Sequence, residues 1–145
     1  MKELLALRGE LTITVTGPDG QIKDHREFNN LIVQVGKNFV ANALIGASAS
    51  PFTHMAIGTG TTPAALGDTG LQTETVRQAF NSGSATANVV SLSTTYVAGV
   101  GTGALTEAGI FNAASLGVML SRVVFSVINK GAADSLTINW TVTAG

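Results

Sequence analysis

The stretch LTINWTVT, residues 136–143, decides the fold class, because apolar and polar side chains alternate strictly along it. This period of two is that of an extended strand with one buried and one solvated face. The apolar face carries Leu136, Ile138, Trp140 and Val142. We therefore expect a strand that lies against a core by its Trp140 face.

The N-terminal part of the chain repeats this pattern. In ELTITVT, residues 10–16, Leu11, Ile13 and Val15 alternate with threonines. The GPDG that follows at 17–20 predicts a turn, because Pro18 presets its own φ and a glycine can adopt positive φ. The polar QIKDHREF, 21–28, is then expected to return as an edge strand that completes a hairpin.

One segment breaks the alternation and predicts a helix near residues 31–45. The sequence NLIVQVGKNFVANALIG, 30–46, places its apolar residues near helical spacing. Asn30 is the expected N-cap and Gly46 the expected stop. Gly36 costs about 1 kcal/mol relative to alanine in a helix interior, or it marks a place where another segment packs closely.

Further strands are predicted downstream at HMAIG, TVRQAFN, NVVSLSTTYV, AGIFNA and VMLSRVVFSVI. Residues 58–74 between the first two are rich in turn residues and are expected to form a contact surface. About seven or eight strands with Gly-rich turns and no βα alternation predict a mainly β protein with an antiparallel β-sandwich. We expect a jelly-roll-like sandwich that forms one domain over residues 1–145.

The composition favours a protein that works through contacts with other proteins. Of 145 residues, 45% are hydrophobic and 12% are charged, so Ser, Thr, Asn and Gly must cover much of the surface. The net charge of -1 shows no basic footprint for nucleic acid. No apolar run is long enough to cross a membrane, and the opening MKELLALRGE, with Glu3 and Arg8, does not resemble a secretory signal. We therefore expect a soluble protein with neither nucleic acid nor membrane as a partner.

No pattern of catalytic or cofactor-binding residues stands out. The chain has no cysteine, and no G-x-S-x-G nucleophile motif, since GASAS ends in Ser50 where glycine is required. His25 and His54 are isolated from each other and lack the spacing of metal ligands. The glycine runs at 58–62 and 99–103 lack the GK[ST] ending of a phosphate-binding loop. We expect no enzyme activity, no cofactor and no metal, and glycines that serve tight turns and close backbone approach.

Two arginines fall within predicted strands. Arg77 lies in TVRQAF and Arg122 in MLSRVVF. We expect both to face outward on the polar side of their strands. The alternative is that each is buried and paired, for example with Glu107 or Asp134, because an unpaired arginine in a core is prohibitively costly.

The C-terminal half resembles a family of tailed-bacteriophage virion proteins. The family's G-x-G-x-[IL]-T-E-A-G-[IL]-F-N run corresponds to Gly101 to Asn112. Its hydrophobic ML-R-VF strand corresponds to Met119 to Phe125, and its closing strand to Asp134 to Val142. HMAIGTGTTPA, 54–64, is also similar, so the resemblance spans roughly residues 54 to 143.

Among such proteins, a short chain without fibre repeats looks most like a capsid cement, or decoration, protein. The resemblance implies a jelly-roll-like domain on the outer capsid surface of the virion, which is assembled in the host cytoplasm. The implied partners are the major capsid protein and further copies of the chain itself, in a dimer or trimer. The alternative is a tail-fibre or baseplate module that binds a host receptor or glycan, because jelly rolls also serve as lectins. The scarcity of exposed aromatic residues expected from the sequence counts against that alternative.

The first nine residues, 1–9, form a candidate contact arm. Leu4, Leu5 and Leu7 make this segment apolar, and we expect them to add contacts to a neighbouring subunit. The alternative is that the segment is the first core strand of the domain itself.

Overall fold

The computed structural model describes residues 6–47 and 50–145, and within these ranges the chain forms ten strands and one helix. The strands are β1 (Leu7–Thr16), β2 (Ile22–Asn29), β3 (Leu31–Ile32), β4 (His54–Gly58), β5 (Glu74–Ala79), β6 (Ser82–Thr86), β7 (Val89–Tyr96), β8 (Gly103–Phe111), β9 (Met119–Lys130) and β10 (Ser135–Ala144). The helix is α1 (Gln34–Ala43).

The strands form two antiparallel sheets of five. Sheet A has the order β2-β1-β10-β7-β6, and sheet B has the order β3-β9-β8-β4-β5. The main cluster of buried apolar side chains draws on both sheets, which therefore pack face to face. The predicted mainly β, antiparallel sandwich with one helix is confirmed. This arrangement is compatible with a jelly roll, which stays a prediction.

The alternating segments provide the core, as predicted. Leu11, Ile13 and Val15 on β1 are each at most 2% exposed, and Trp140 on β10 is fully buried. Tyr96 on β7 is also fully buried, and its hydroxyl donates a hydrogen bond to the Met55 carbonyl at 2.6 Å. Because β7 belongs to sheet A and Met55 to β4 of sheet B, this bond ties the two sheets together across the core.

A second, smaller apolar cluster lies on the other face of sheet B. It contains the buried residues Val33, Ala56, Phe111 and Met119, with Val35 and Leu71 packed against them. Sheet B is therefore buried on both faces over part of its area. The start of the helix and the loop after β4 provide the outer covering.

The helix is shorter than the predicted 31–45. Residues Leu31–Ile32 form β3 instead, which pairs with β9. The expected N-cap Asn30 is wrong: Val33 occupies that position, with no side-chain bond to the helix, and Asn30 Oδ1 accepts a hydrogen bond from Trp140 Nε1. The expected stop at Gly46 is confirmed by its φ of 72° and by its N–H, which donates to the Ala43 carbonyl.

Gly36 marks a close approach, which was one of its two predicted meanings. A Cβ added there would lie 2.4 Å from the Leu120 carbonyl oxygen on β9. The helix therefore lies against the backbone of β9 at a distance that only glycine permits.

The predicted hairpin and edge strand are confirmed. Gly20 has φ 83° and its N–H donates to the Gly17 carbonyl, which closes the turn between β1 and β2. Strand β2 lies at one edge of sheet A. Strand β6 at the opposite edge was not predicted, because SGSAT has no alternation of apolar and polar residues.

Candidate functional site

The loop between β4 and β5, residues 59–73, lies over the outer face of sheet B. Leu71 packs into the smaller apolar cluster, and the Leu66 carbonyl accepts a hydrogen bond from the N–H of Gln34 at the start of α1. This segment was predicted to be turn-rich and to form a contact surface. The structure shows that the loop is fastened to the sheet beneath it, and its use as a contact surface stays a prediction.

A fully buried carboxylate, Glu107 on β8, holds this loop. Its Oε2 accepts the N–H of Gly60 at 2.7 Å and the N–H of Thr73 at 2.8 Å. Its Oε1 accepts the N–H of Gln72 at 2.8 Å and Nε of Arg122 at 3.1 Å. Each carboxylate oxygen thus receives two donors, and the two ends of the loop are tied to one side chain.

The guanidinium of Arg122 on β9 completes the network. Arg122 is 2% exposed, and its Nη2 also lies 3.1 Å from Glu107 Oε1. Its Nη1 donates to Asp68 Oδ2 at 2.8 Å and its Nη2 donates to the Thr62 carbonyl at 2.9 Å. The expectation of a solvent-facing Arg122 is therefore wrong. The loop covers that face of the sheet, and the alternative pairing with Glu107 is what the structure shows.

Two glycines in GTGTT make room for the carboxylate. A Cβ on Gly60 would lie 2.4 Å from Glu107 Oε2, and a Cβ on Gly58 would lie 2.3 Å from the Thr73 carbonyl oxygen. The predicted use of these glycines for close backbone approach is confirmed. The group that these glycines accommodate is the side chain of Glu107, which is part of the protein and not of a bound ligand.

Arg77 on β5 is also not outward-facing. Its side chain is 7% exposed and stacks on the Phe111 ring at 3.6 Å from the ring centroid. It pairs with Glu74 at 2.7 Å and donates to the carbonyls of Ala113 and Leu116. Arg77 thereby holds the loop between β8 and β9, where Leu116 has a positive φ of 54° and is 85% exposed.

A third group of charges closes the turn between β9 and β10. Lys23 Nζ bonds both Asp134 oxygens, at 3.0 and 3.1 Å, and Gly131 N–H donates to Asp134 Oδ2. The hydrogen bond from Lys23 is the main reason why the pKa of Asp134 lies below its usual value. Lys130 donates to the carbonyls of Val97 and Asp134, and burial lowers the pKa of this lysine. Asp134, named as a partner for an arginine, pairs with a lysine instead.

The outward face of sheet A is lined with hydroxyl and amide groups. Thr95 Oγ1 and Thr137 Oγ1, which belong to neighbouring strands, lie 2.9 Å apart. We call this surface the hydroxyl face. Its cross-strand rows are Glu10–Thr141–Ser91–Ser84, Thr12–Asn139–Ser93–Ser82 and Thr14–Thr137–Thr95.

The hydroxyl face is open, whereas the outer face of sheet B is covered. Asn139, Ser91 and Ser84 are exposed. The charged side chains on this face are Glu10, Glu27 on β2 opposite Thr12, and Arg8 opposite Thr143. A depression of about 520 Å³ lies between Glu10, Glu27 and Asn139. A flat, polar and weakly charged surface of this kind favours protein contact over the enclosed binding of a small molecule.

The histidines lie apart from each other. His25 is on β2 of sheet A, where its Nδ1 bonds Thr14 Oγ1, and His54 begins β4 of sheet B, where its Nδ1 bonds Thr53 Oγ1. Among residues 6–47 and 50–145, no group of three or more His, Cys, Asp or Glu residues could hold a metal ion. Within the same ranges no helix is long and apolar enough to cross a bilayer.

The predicted contact residues lie at the start of the chain. Leu4 and Leu5 lie outside the described residues. Leu7 begins β1 opposite Ala144 and packs against the main core. The following Arg8 is also in β1, and its Nη2 donates to the Gly145 carbonyl. The end of the 1–9 segment is thus part of sheet A.

The sequence offers the burial of Arg122 beside Glu107 only as an alternative, although two of its features favour that pairing. Glu107 and Arg122 are the only charged residues from Thr106 to Phe125, and Gly58 and Gly60 precede a long loop.

Comparison of the chain with protein-family models, with curated proteins and with solved structures found no match.

Proposed function

We propose that this chain is a structural protein of a tailed-bacteriophage virion, and specifically a head cement protein. It attaches to the outer capsid surface and stabilises contacts between major capsid protein subunits, after assembly in the host cytoplasm. Its partners are the major capsid protein and further copies of itself. It works by burying surface, without a reacting group.

The observation that carries this proposal is the open hydroxyl face of sheet A. The loop 59–73 covers sheet B, while the four strands β1, β10, β7 and β6 of sheet A present rows of Ser, Thr and Asn side chains, with the charges of Glu10, Arg8 and the neighbouring Glu27 confined to the β1–β2 side. Such a face desolvates at lower cost than a charged one and can hydrogen-bond a partner. The resemblance over residues 54 to 143 supports the same role.

The fastening of three loops by charged side chains also fits a static binding role. The networks of Glu107 with Arg122, of Arg77 with Phe111 and of Lys23 with Asp134 each fasten a loop to a sheet. A surface that is already ordered loses little entropy on binding. Many copies of a modest interface on one particle then add their strength through avidity.

The test places a charge in the centre of the hydroxyl face. Asn139 is exposed on the central strand β10, so Asn139→Lys is expected to leave the fold intact. If the hydroxyl face contacts the head, attachment to heads that lack this protein falls by about tenfold or more, because the contact must remove water from the new ammonium and from the neighbouring Glu10 and Glu27, at a cost above the ~1.4 kcal/mol of a factor of ten. The readout is the copy number per head, by quantitative gel of purified particles.

The matched control is Ser115→Lys, which adds the same charge to the exposed loop between β8 and β9. Its copy number should equal that of the wild type. A wild-type chain absent from heads but present on tails, together with binding to a glycan array, would instead support the tail-fibre or baseplate alternative. Equal attachment of the wild type and Asn139→Lys would refute the assignment of the hydroxyl face.

The N-terminal contact arm can be tested separately. Because Leu7 and Arg8 belong to β1, deletion of residues 1–6 removes Leu4 and Leu5 and leaves the strand whole. We expect weaker attachment or weaker self-association of a folded chain. Unchanged copy number and unchanged mass in solution would refute the arm.

A further inference from the structure

Among the residues that the structure describes, strand β6 is an edge strand without the usual protection against pairing. It lies at the edge of sheet A, and all five of its residues, Ser82–Thr86, are exposed. Edge strands present backbone N–H and C=O groups that can pair with another strand, and proteins protect them with charges, proline, bulges or a covering segment. SGSAT carries neither a charge nor a proline, and its pairing with β7 has no irregularity.

The other sheet edges are protected. Strand β2, at the opposite edge of sheet A, carries a charged or titratable side chain at every position from Lys23 to Glu27. In sheet B, β3 covers only the start of β9, and Arg26 donates to the carbonyls of Ser126 and Val127 further along that strand. Strand β5 carries the ion pair of Glu74 with Arg77. The contrast singles out β6.

We propose that the free edge of β6 is a self-association surface, on which a second copy of this chain pairs its own β6 in the antiparallel sense. The two copies of sheet A then form one continuous sheet across a twofold axis. This inference rests on the self-association included in the proposed function, and it names the surface and the symmetry.

The composition of β6 suits pairing with itself. Antiparallel pairing centred on Ser84 places Ser82 opposite Thr86, Gly83 opposite Ala85 and Ser84 opposite its own copy. Every opposed pair is small and uncharged, and Ser–Thr pairs across strands can hydrogen-bond. Pairing of β6 with β2 of another copy would instead face an uncharged strand with a charged one, and it would continue as an open fibre.

Such a pairing produces a dimer and not a trimer. When the same strand pairs with itself, each copy uses its edge once and the assembly closes as an isologous twofold. Five residues on each side form an interface below the roughly 1,200 Å² of standard stable complexes, so the isolated dimer is weak. The high local concentration of copies on a particle strengthens it.

Two charge variants test the edge. Ser84→Lys and Ser84→Glu each place like charges opposite each other at the twofold axis, and each should raise the dimer dissociation constant by more than about tenfold. An equimolar mixture of the two should restore the dimer, because Lys then faces Glu. Sedimentation equilibrium over a range of concentrations measures the effect, and fluorescence of the buried Trp140 verifies the fold.

Ser91→Lys is the matched control. Ser91 lies directly across from Ser84 on β7, is exposed on the same hydroxyl face, and lies one strand away from the edge. This variant should dimerise like the wild type. If Ser84→Lys and Ser91→Lys raise the dimer dissociation constant equally, the copies pack through the hydroxyl face. That result would overturn pairing through the edge of β6.

A cross-link tests the register directly. The chain contains no cysteine, so Ser84→Cys introduces a single thiol. Directly opposed residues in antiparallel strands have Cα atoms about 4.5–5.5 Å apart, which is within the range of a disulfide. Oxidised Ser84→Cys should run as a covalent dimer, and Ser91→Cys should stay a monomer. A wild type that is monomeric or trimeric at every concentration, or absence of the Ser84→Cys cross-link, overturns the proposal.

These outcomes are separable from those for the proposed function. Self-association is measured on the isolated chain, and attachment is measured as copy number on heads. Ser84 also lies on the hydroxyl face, so the separating variant is Asn139→Lys, which lies two strands away from the edge and should weaken attachment while it leaves the dimer intact. A wild type that attaches to heads but never dimerises would overturn this inference alone.

Discussion

Replacing Glu107 by glutamine should destabilise the protein strongly, because the buried carboxylate accepts four hydrogen bonds. Its Oε2 receives the N–H groups of Gly60 and Thr73, and its Oε1 receives those of Gln72 and Arg122. In either orientation, the amide nitrogen of glutamine faces two of these donors. Two hydrogen bonds are therefore lost and replaced by contacts between donors.

The magnitude follows from the burial of the arginine that remains. Arg122 is 2% exposed, and among the described residues it keeps only Asp68, whose side chain is 24% exposed, as a counter-charge. Removing one partner of a buried ion pair costs about 3–5 kcal/mol. For a chain of this length that corresponds to a fall in Tm of about 10 °C or more.

The assay is equilibrium unfolding in urea, followed by fluorescence. Trp140 is the only tryptophan and is fully buried, so its emission reports global unfolding. Hydrogen exchange at the amides of Gly60, Gln72 and Thr73 reports release of the loop, and it should accelerate more than exchange in β1.

The matched control is Glu10→Gln, which makes the same change at an exposed position. Its effect should lie within about 0.5 kcal/mol of zero. If Glu107→Gln unfolds within about 1 kcal/mol of this control and exchange in the loop is unchanged, the account of Glu107 as the fastening of the loop is refuted.

Two further predictions concern the helix and the core. Gly36→Ala should lower the free energy of unfolding by about 1–3 kcal/mol, because the new Cβ would meet the Leu120 carbonyl, and this outweighs the better helix propensity of alanine. The control is Gly67→Ala, which has open space around it and should be neutral or slightly stabilising in the same urea assay. Burial raises the pKa of the Tyr96 hydroxyl above its usual value near 10. The stability that the buried, neutral hydroxyl gives to the fold is therefore complete below about pH 10. It is lost as the pH rises further, by up to ~1.36 kcal/mol per pH unit, because the unfolded chain loses its proton first. Because Tyr96 is the only tyrosine, ultraviolet absorbance should show its phenolate appearing together with unfolding, and ionisation of the folded protein near pH 10 would contradict this.

Most of the fold could be predicted because strand alternation is a local property. The pattern around Leu11 and the pattern around Trp140 each predict a half-buried strand without knowledge of the partner, and the two strands are neighbours in sheet A. The errors lie where local preference competes with pairing. Leu31–Ile32 looked helical by spacing and is held in a strand by β9. Strand β6 has no pattern of its own and exists through its pairing with β7.

The burial of Arg122 could not be predicted from its own strand. It occupies a position that faces away from the main core, so the prediction of an outward side chain followed correctly from the local pattern. The covering loop lies about 50 to 60 residues earlier in the chain: Thr62 and Asp68 both bond the guanidinium. Nothing in the spacing of either segment shows that they meet.

The sequence by itself determined the class of the fold, the buried face of its clearest strands and the weakly charged surface. These follow from the period of the apolar side chains and from the composition, which do not depend on contacts between distant residues. Only the tertiary structure decided which sheet face is covered, which acid pairs with which base, and which edge strand is left unprotected. These depend on contacts between residues that are distant in sequence. Burial by a remote segment turns a surface charge into an internal ion pair.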